Sequence, residues 1–297
     1  MPEHDDDGSP AIEVRGLHKL YGSMVALHSV DLDIQHGEIF ALLGPNGAGK
    51  TTMVEIMEGF RSHDGGTVKV LGTSPYKADE HWRARIGVVL QTSGEFEDLT
   101  VAEVVHHFAR YYPDPEDPDE LIERVGLSAK RNSRADKLSG GQQRRMDVAL
   151  GLVGRPEVLF LDEPTTGFDP QSRREFWQLI RDHAETGTTI VLTTHYLEEA
   201  EFLADRVGVI VGGKILEIGP AATIGGRDHE MALVSWIGPD GPESAQTTAP
   251  TKFAADLHAR FQGEAPGLTV SRPSLEDAYL AMIKAAGADS GTEGGKP

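Results

Sequence analysis

The sequence predicts an α/β protein with a mainly parallel sheet, followed by a small α+β appendage. Four short runs, "EIFALLG", "RIGVVLQ", "EVLFLDE" and "TTIVLTTH", are almost uninterrupted in apolar character and rich in β-branched residues. Strands that are covered on both faces have this composition, and they occur mostly in parallel sheets. The stretches between these runs carry apolar residues at helical spacing. Strands that alternate with helices are typical of a layered α/β domain.

The first predicted elements are two strands, "AIEVRGL" and "MVALHSVDLDI", with a turn at Tyr21-Gly22 between them. The stretch "TVAEVVHHFARYY" predicts an amphipathic helix, because its apolar residues fall on one face: Val101, Val104, Val105, Phe108 and Tyr112. Thr100 and Glu103 have the spacing of a capping box at its start. The acidic stretch at 113–120 contains three prolines and predicts a solvated loop.

Two later segments predict helices and a third predicts a hairpin. "REFWQLIRDHAETG" reads as a helix that ends at Gly187, and "YLEEAEFLADRV" carries helical spacing as far as Val207. "VGVIVGGKILEIG" reads as two strands joined across Gly212-Gly213.

The composition changes near Pro220, which separates a main domain at 11–220 from an appendage at 221–285. Polar segments at 1–10 and 286–297 flank the two and are expected to be disordered tails. The appendage predicts a strand, a loop rich in Pro, Thr and Ser, a helix, a second strand and a final helix.

The helices of the appendage have clear sequence patterns. The first falls at Phe253–Phe261, and the second is expected to begin with a cap formed by Ser274 and Asp277. Its predicted packing face consists of Leu275, Tyr279, Leu280 and Ile283.

The charge balance disfavours some classes of partner. The 297 residues include 28 Lys and Arg against 47 Asp and Glu, a formal net charge of −19. This balance counts against nucleic-acid binding and against direct adhesion to an anionic membrane, since both depend on basic residues. No apolar run approaches the roughly 18 residues that a membrane span needs. The absence of cysteine excludes disulfides and thiolate metal sites.

One segment has the pattern of a phosphate-binding P-loop, and it lies between an apolar strand and a helix that is expected to begin near Thr51. Its residues are Gly44, Pro45, Asn46, Gly47, Ala48, Gly49, Lys50 and Thr51. Glycines at these positions let backbone N–H groups point at phosphate oxygens, where the helix dipole also favours negative charge. Lys50 is expected to reach the β- and γ-phosphates, and the Thr51 hydroxyl to bind Mg²⁺.

Two carboxylates, Asp162 and Glu163, follow the apolar run "VLFL". After a P-loop, Asp162 is expected to hold Mg²⁺ through its hydration shell, and Glu163 to orient or deprotonate an attacking water. The alternative is that both are ordinary solvated residues at the end of a strand.

A second turn suited to an anion is formed by Ser139, Gly140 and Gly141, which precede the helical stretch "QQRRMDVALGLVG". A hydroxyl and glycine amides at a helix N-terminus can bind an anion. Simple N-capping by Ser139 is the alternative, and in isolation it would be preferred.

Together these motifs resemble the nucleotide-binding subunit of an ABC transporter. The stretch Leu138–Gln142 matches the family signature "LSGGQ" without substitution, and it lies between the P-loop and the acidic strand as in the family. The resemblance covers about 12–220. It implies a mixed sheet core with an antiparallel β subdomain and a helical subdomain at about 92–155.

The resemblance also implies roles for single residues. Tyr21 resembles the aromatic that stacks on adenine, Gln91 the glutamine that senses Mg²⁺ and the membrane partner, and Asp169 the residue that communicates between subunits. His195 resembles the switch histidine at the γ-phosphate. Without the family, Tyr21 would be read as a turn aromatic, Gln91 as a polar strand end and His195 as a surface or core histidine. Phe168 departs from the family, which more often has leucine there.

The resemblance implies ATP and Mg²⁺ as ligands and hydrolysis of ATP as the activity. Thr52 joins the P-loop residues in binding ATP, Thr51, Gln91 and Asp162 hold the metal, and Ser139, Gly140, Gly141 and Gln142 bind the ATP of a second subunit. The implied partners are that second subunit, expected to be another copy of this chain, and a transmembrane permease that holds the protein at the cytoplasmic face of the membrane. We expect the permease to dock on the segment that follows Gln91.

The closing segment "RPSLEDAYLAMI" resembles that of ATP-binding subunits of drug exporters, including daunorubicin-resistance proteins, which implies export. Its alternative is a capped amphipathic helix that packs on its own domain. A soluble ABC ATPase of DNA repair or of the ribosome is the alternative function. The short interval at 52–137 has no room for the long coiled coil of repair members, and one P-loop with strong negative charge disfavours ribosomal members. A regulator without turnover is disfavoured by Glu163.

Overall fold

A computed structural model describes the chain at residues 8–90, 96, 98–226, 231–239, 241–272 and 274–290. It divides into two compact units, Met1–Ile218 and Gly219–Pro297. Among the described residues, no helix combines the length and apolar character that crossing a membrane requires.

The first unit contains an antiparallel sheet and a larger, mainly parallel sheet. Its strands in chain order are β1 (Ile12–Tyr21), β2 (Met24–Ile34), β3 (Ile39–Leu43), β4 (Gly65–Val70), β5 (Ile86–Val89), β6 (Val158–Asp162), β7 (Thr189–Thr194), β8 (Arg206–Val211) and β9 (Lys214–Pro220). In the part of the chain that is described, the small sheet has the order β2-β1-β4 and the large sheet β5-β6-β7-β3-β8-β9.

The large sheet confirms the predicted parallel core. Every residue of β3, β6 and β7 is buried, as expected for strands covered on both faces. These strands run parallel, and their register places Leu43 beside Thr194 and Asp162 beside Thr193. The segments that follow β3, β6 and β7 therefore emerge at one edge of the sheet.

The helices of the first unit pack on this sheet and on one another. They are α1 (Lys50–Met57), α2 (Glu80–Arg83), α3 (Val101–Ala109), α4 (Pro118–Arg124), α5 (Gly140–Leu152), α6 (Pro170–Ala184) and α7 (Leu197–Leu203). The capping box predicted for α3 is present, since the Thr100 hydroxyl accepts from the Glu103 N–H and the Glu103 carboxylate accepts from the Thr100 N–H.

Two sequence predictions in this unit were wrong in extent. The 113–120 stretch is not loop throughout, because the Asp117 carboxylate caps α4, which begins at Pro118. The helix predicted to reach Val207 ends at Leu203, and Val207 lies in β8. A buried strand that directly follows a helix can continue its apolar spacing by chance, so periodicity alone could not place this boundary.

The second unit is an antiparallel sheet with two helices, as predicted for the appendage. It contains β10 (Ala232–Gly238), β11 (Gly241–Thr247), α8 (Pro250–Arg260), β12 (Thr269–Ser271) and α9 (Leu275–Ser290). Val234 and Trp236 of β10 form its core with Leu257 of α8 and Ala265.

The second unit agrees with the prediction in the cap of α9 and differs from it in three other details. The segment predicted as a Pro/Thr/Ser-rich loop contains β11, whose small polar residues pair with β10 through backbone hydrogen bonds and carry no apolar signal. The predicted cap of α9 is present, with the Ser274 hydroxyl accepting from the Asp277 N–H at 3.2 Å. However, Leu280, which was predicted to lie in the packing face, is 55% exposed, whereas Leu275 is buried. Helix α9 continues to Ser290, so it extends into the segment at 286–297 that was predicted as a disordered tail.

Candidate functional site

The P-loop connects β3 to α1 at the carboxyl end of the large sheet. A Cβ on Gly44 would come within 2.3 Å of the Ile210 carbonyl oxygen, and one on Gly49 within 2.7 Å of the Ala26 carbonyl oxygen. Gly49 also has a φ of 104°, a left-handed conformation that favours glycine. Close packing against β2 and β8 therefore explains two glycines of the motif, and it fixes the curvature of the loop.

Lys50 is buried at the start of α1 and folds over the loop. Its ammonium group donates to the carbonyl oxygens of Gly44, at 2.8 Å, and of Pro45, at 3.2 Å. Burial lowers the pKa of the Lys50 ammonium, and the carboxylates of Glu163 and Asp162 oppose that shift. The structure thus brings the lysine and the two acidic residues into one electrostatic neighbourhood, as the motifs predicted.

The two carboxylates occupy different environments. Asp162 is the last residue of β6 and is 9% exposed, and its Oδ1 accepts a hydrogen bond of 2.5 Å from the Thr193 hydroxyl. Glu163 follows with a φ of 44°, which few residues other than glycine adopt. The solvated-residue alternative is not consistent with this burial and constraint.

His195 is placed beside Glu163 by the parallel pairing of β6 and β7. Its Nδ1 lies 3.3 Å from Glu163 Oε2, to which the Thr166 hydroxyl also donates at 3.2 Å. The His195 ring contacts the Tyr196 ring at a centroid distance of 4.1 Å, and the Arg173 guanidinium lies 4.4 Å from the centroid of the Tyr196 ring. These contacts fix a histidine and a carboxylate close to each other at the same edge of the sheet as the P-loop.

Tyr21 lies at the end of β1 near the P-loop helix. Its hydroxyl oxygen is 3.5 Å from the Thr52 hydroxyl oxygen, and the Arg61 guanidinium lies 5.2 Å from its ring centroid. The predicted aromatic is therefore next to α1. Gln91, the other residue implied by family resemblance near the metal, lies outside the described residues.

The signature turn begins α5 with the cap that was the alternative reading. The Ser139 hydroxyl accepts from the Gln142 N–H at 3.4 Å, and Gln142 Oε1 accepts from the Ser139 N–H at 3.1 Å. The hydroxyl proton of Ser139 takes no part in this cap, so it can still be donated to a phosphate oxygen. Both residues flank the exposed Gly140.

The surroundings of the signature turn differ from those of the P-loop. A Cβ on Gly141 would lie 3.7 Å from Ser172 and 3.9 Å from Phe168, which are near the start of α6. Helix α5 packs on β5, whereas the P-loop follows β3. Three strand spacings separate β5 from β3 in the sheet order, which corresponds to about 14 Å. The signature turn therefore lies beside the start of α6, whereas the P-loop packs against β2 and β8.

Asp169 is the N-cap of α6, on the loop beside the signature turn. Its carboxylate accepts hydrogen bonds of 3.0 Å from the N–H groups of Gln171 and Ser172. The Ser172 hydroxyl and these N–H groups hold the pKa of the Asp169 carboxyl below its usual value. Phe168 makes an edge-to-face contact with Phe176 at 5.5 Å.

Arg144 is a buried residue next to the site that belongs to none of the sequence motifs. It donates to the backbone carbonyl oxygens of Asp162 at 2.7 Å, Pro164 at 3.0 Å and Leu90. One side chain of the signature helix thus holds the carboxyl ends of β5 and β6. Arg144 shares a buried stripe of α5 with Val148. A charged residue in an apolar stripe was the sequence signal for this role.

Glu58 also belongs to none of the sequence motifs, and its surroundings predict that the stability of the protein depends on pH. It lines a groove with Thr51 and Asp162, and burial, with the Asp162 and Glu55 carboxylates, raises its pKa to about 7. Between about 4.3, the pKa of glutamate in the unfolded state, and about 7, the folded state binds more protons than the unfolded state. The free energy of unfolding therefore falls as the pH rises through about 7. Glu58→Gln should increase the free energy of unfolding by about 2 kcal/mol near pH 8.

The measurement is urea unfolding of wild type and Glu58→Gln across the pH range. The gain should disappear below the unfolded-state pKa of glutamate, about 4.3. Glu123→Gln is the control, because Glu123 is exposed in α4 and its change should give no such gain at high pH. A gain of equal size at both ends of the pH range would contradict the proposed ionisation.

Known proteins share both the sequence and the fold of this chain. The ABC transporter family model matches residues 27–166. A Nod factor export ATP-binding protein I of Paraburkholderia xenovorans is 37% identical over 92% of this chain and 96% of that protein. The daunorubicin resistance ATP-binding protein DrrA3 of Streptomyces coeruleorubidus is 40% identical over 75% of this chain and 73% of its own length.

Solved structures agree with this relationship. An ATP-binding subunit of an ABC transporter has the same fold, with a TM-score of 0.68 and 22% identity over 92% of this chain and 99% of its own. The ATP-binding cassette MJ0796, in a dimeric post-hydrolysis state bound to ADP and Pi, has a TM-score of 0.64 and 26% identity over 71% of this chain and 98% of its own.

Proposed function

The chain belongs to the ABC transporter family, as an ATP-binding component that hydrolyses ATP, and on this premise we propose that it powers export of a drug-like or lipophilic substrate through a separate permease. The observation that carries this proposal is the similarity, across nearly the whole chain, to a Nod factor export protein. The similarity to a daunorubicin resistance protein supports the same direction of transport.

The residues of the P-loop bind the phosphates of ATP in this proposal. The backbone amides of Gly44–Gly49 face the phosphate chain, and Lys50 exchanges its carbonyl partners for phosphate oxygens. Tyr21 stacks on the adenine, and Thr52, which lies beside its hydroxyl, completes the cradle.

Mg²⁺ fits the oxygen donors at this edge of the sheet. The Thr51 hydroxyl, the Asp162 carboxylate and the Gln91 amide would hold it, and oxygen ligands of this type are those that Mg²⁺ prefers. When bound, the metal neutralises charge on the β- and γ-phosphates. The Thr193 hydroxyl donates to Oδ1 of Asp162 and so restricts the orientation of that carboxylate.

Glu163 and His195 act on the attacking water. The Glu163 carboxylate accepts the proton of the water or orients it toward the γ-phosphorus, and His195, within 3.3 Å of that carboxylate, contacts the γ-phosphate. Lys50 and the loop amides stabilise the negative charge of the transition state.

A second copy of the chain completes the site. The two anion-binding turns pack on different elements, the signature turn beside the start of α6 and the P-loop against β2 and β8, which supports binding of ATP by Ser139, Gly140, Gly141 and Gln142 of a partner. Asp169 lies on the loop beside the signature turn and is proposed to communicate between the subunits.

The permease is proposed to dock in the groove near the end of β5. This groove has a volume of about 950 Å³, and its rim includes the exposed side chains of Phe60 and Leu90, which are 76% and 57% exposed. In the sequence, Leu90 directly precedes Gln91 and the segment on which we expect the permease to dock. Docking here would hold the protein at the cytoplasmic face of the membrane without its own membrane contact.

Purification of the tagged chain from membranes of its native host tests the proposal against a role in DNA repair or on the ribosome. We expect it to copurify with a polytopic membrane protein after extraction in mild detergent, and to lose that partner when Phe60 and Leu90 are both changed to Asp. Tyr76→Asp, at a side chain that is 59% exposed and does not line the groove, is the control. Recovery with ribosomes or DNA instead would refute the transport proposal.

A further inference from the structure

Thr193 lies in β7 directly beside Asp162 of β6 and is completely buried. None of the motifs assigns it a function. Its hydroxyl contacts both acidic residues of the site, since it is 2.5 Å from Asp162 Oδ1 and 3.1 Å from the Glu163 backbone nitrogen.

The direction of these hydrogen bonds is determined by the groups involved. A backbone N–H can only donate, and a carboxylate can only accept. The Thr193 hydroxyl therefore accepts from Glu163 N–H and donates its single proton to Asp162. It has no other arrangement that satisfies both neighbours.

The second contact bears on an unusual backbone conformation. Glu163 has a φ of 44°, and its N–H is also within 3.1 Å of the Thr193 carbonyl oxygen. A left-handed conformation at a residue with a side chain persists only where its surroundings enforce it. Thr193 supplies both acceptors for this N–H, so it helps to direct the Glu163 side chain toward His195, 3.3 Å away.

We propose that Thr193 is a positioning residue for ATP hydrolysis, which orients the Asp162 carboxylate for the metal and the Glu163 side chain for the water. The proposal rests on the roles assigned to Asp162 and Glu163 above. Because β7 continues directly into His195, the same strand sets the position of all three side chains.

The test compares variants that differ by the hydroxyl alone. Thr193→Ala should lower kcat for ATP by about 10- to 100-fold, and Thr193→Ser should restore it to within about threefold of wild type. KM for Mg²⁺–ATP should rise by no more than the loss of Mg²⁺-dependent affinity that is measured below, because the hydroxyl does not contact the P-loop. Thr189→Val is the matched control, since Thr189 is a buried residue at the other end of β7 whose hydroxyl accepts from Gly37 N–H at 3.0 Å.

A binding measurement separates positioning from a structural role. Isothermal titration with a non-hydrolysable ATP analogue, in Mg²⁺ and in EDTA, should show a smaller Mg²⁺-dependent gain in affinity for Thr193→Ala than for Thr193→Ser or Thr189→Val. Equal kcat and equal gain for the Ala and Ser variants would overturn the proposal, as would an equal effect of Thr189→Val. Glu163→Gln is assayed in parallel: if it keeps full turnover, the role of Glu163 fails, whereas an inactive Glu163→Gln with equivalent Ala and Ser variants rejects Thr193 alone.

Discussion

Glu163→Gln is expected to lower kcat for ATP hydrolysis by at least about 100-fold while leaving ATP binding intact. The substitution keeps the size of the side chain and its hydrogen bond with Thr166, but it removes the carboxylate that accepts a proton from water. ATP should then persist in the composite site and hold two subunits together. Steady-state phosphate release measures the first effect, and size-exclusion chromatography in ATP and Mg²⁺ measures the second.

Glu198→Gln is the matched control for this prediction. Glu198 is an exposed glutamate in α7, three residues after His195, and its change should affect neither turnover nor the oligomeric state. Undiminished turnover in Glu163→Gln would remove Glu163 as the group that activates water. Loss of ATP binding would instead indicate that the carboxylate shapes the nucleotide pocket.

The parts of the site that the sequence predicted are those encoded locally. A P-loop needs glycines, a lysine and a hydroxyl within eight positions, and the strand before it and the helix after it are visible in the same window. The capping box of α3 and the cap of α9 are equally local, and both were confirmed. The predicted order of elements followed from apolar runs long enough to distinguish strands from helices.

What could not be predicted depends on contacts between distant segments. Thr193 acts on Asp162 only because β6 and β7 are neighbours in a particular register, and nothing within "TTIVLTTH" specifies that partner. The burial that raises the Glu58 pKa likewise depends on the groove. Arg144 gave a local signal, a charge in an apolar stripe. Its three carbonyl partners, at the ends of β5 and β6, could not be predicted from that signal.

Ser139→Arg is expected to reduce ATP hydrolysis by about 100-fold without reducing ATP binding to the monomer. Ser139 is exposed at the start of α5, whose first turn lies beside Ser172 and Phe168 near the start of α6, so we expect an arginine there to leave the P-loop of its own subunit intact. It would, however, obstruct a partner's γ-phosphate. Loss of the N-cap costs about 1 kcal/mol, which is too little to unfold the protein.

Mixing this variant with Lys50→Ala tests whether the site is shared between subunits. Each variant alone has two defective sites per dimer. In a mixed dimer, the P-loop of the Ser139→Arg subunit meets the signature turn of the Lys50→Ala subunit, and that site is intact. An equimolar mixture forms mixed dimers in half of cases, so it should recover about a quarter of wild-type turnover if sites act independently.

A site built within one subunit gives the opposite result, because every chain in the mixture then carries one disabled half and no combination restores it. Recovery therefore depends on the two turns belonging to different molecules, and the size of the recovery reports how strongly the two sites depend on each other. A recovery that is measurable but well below a quarter, with mixed dimers detected by mass spectrometry, would mean that one intact site turns over slowly beside a defective one. Asp169, the N-cap of α6 beside the signature turn, would then be the first residue to test for that dependence. Asn is the substitution to use, because its side chain can also cap the helix.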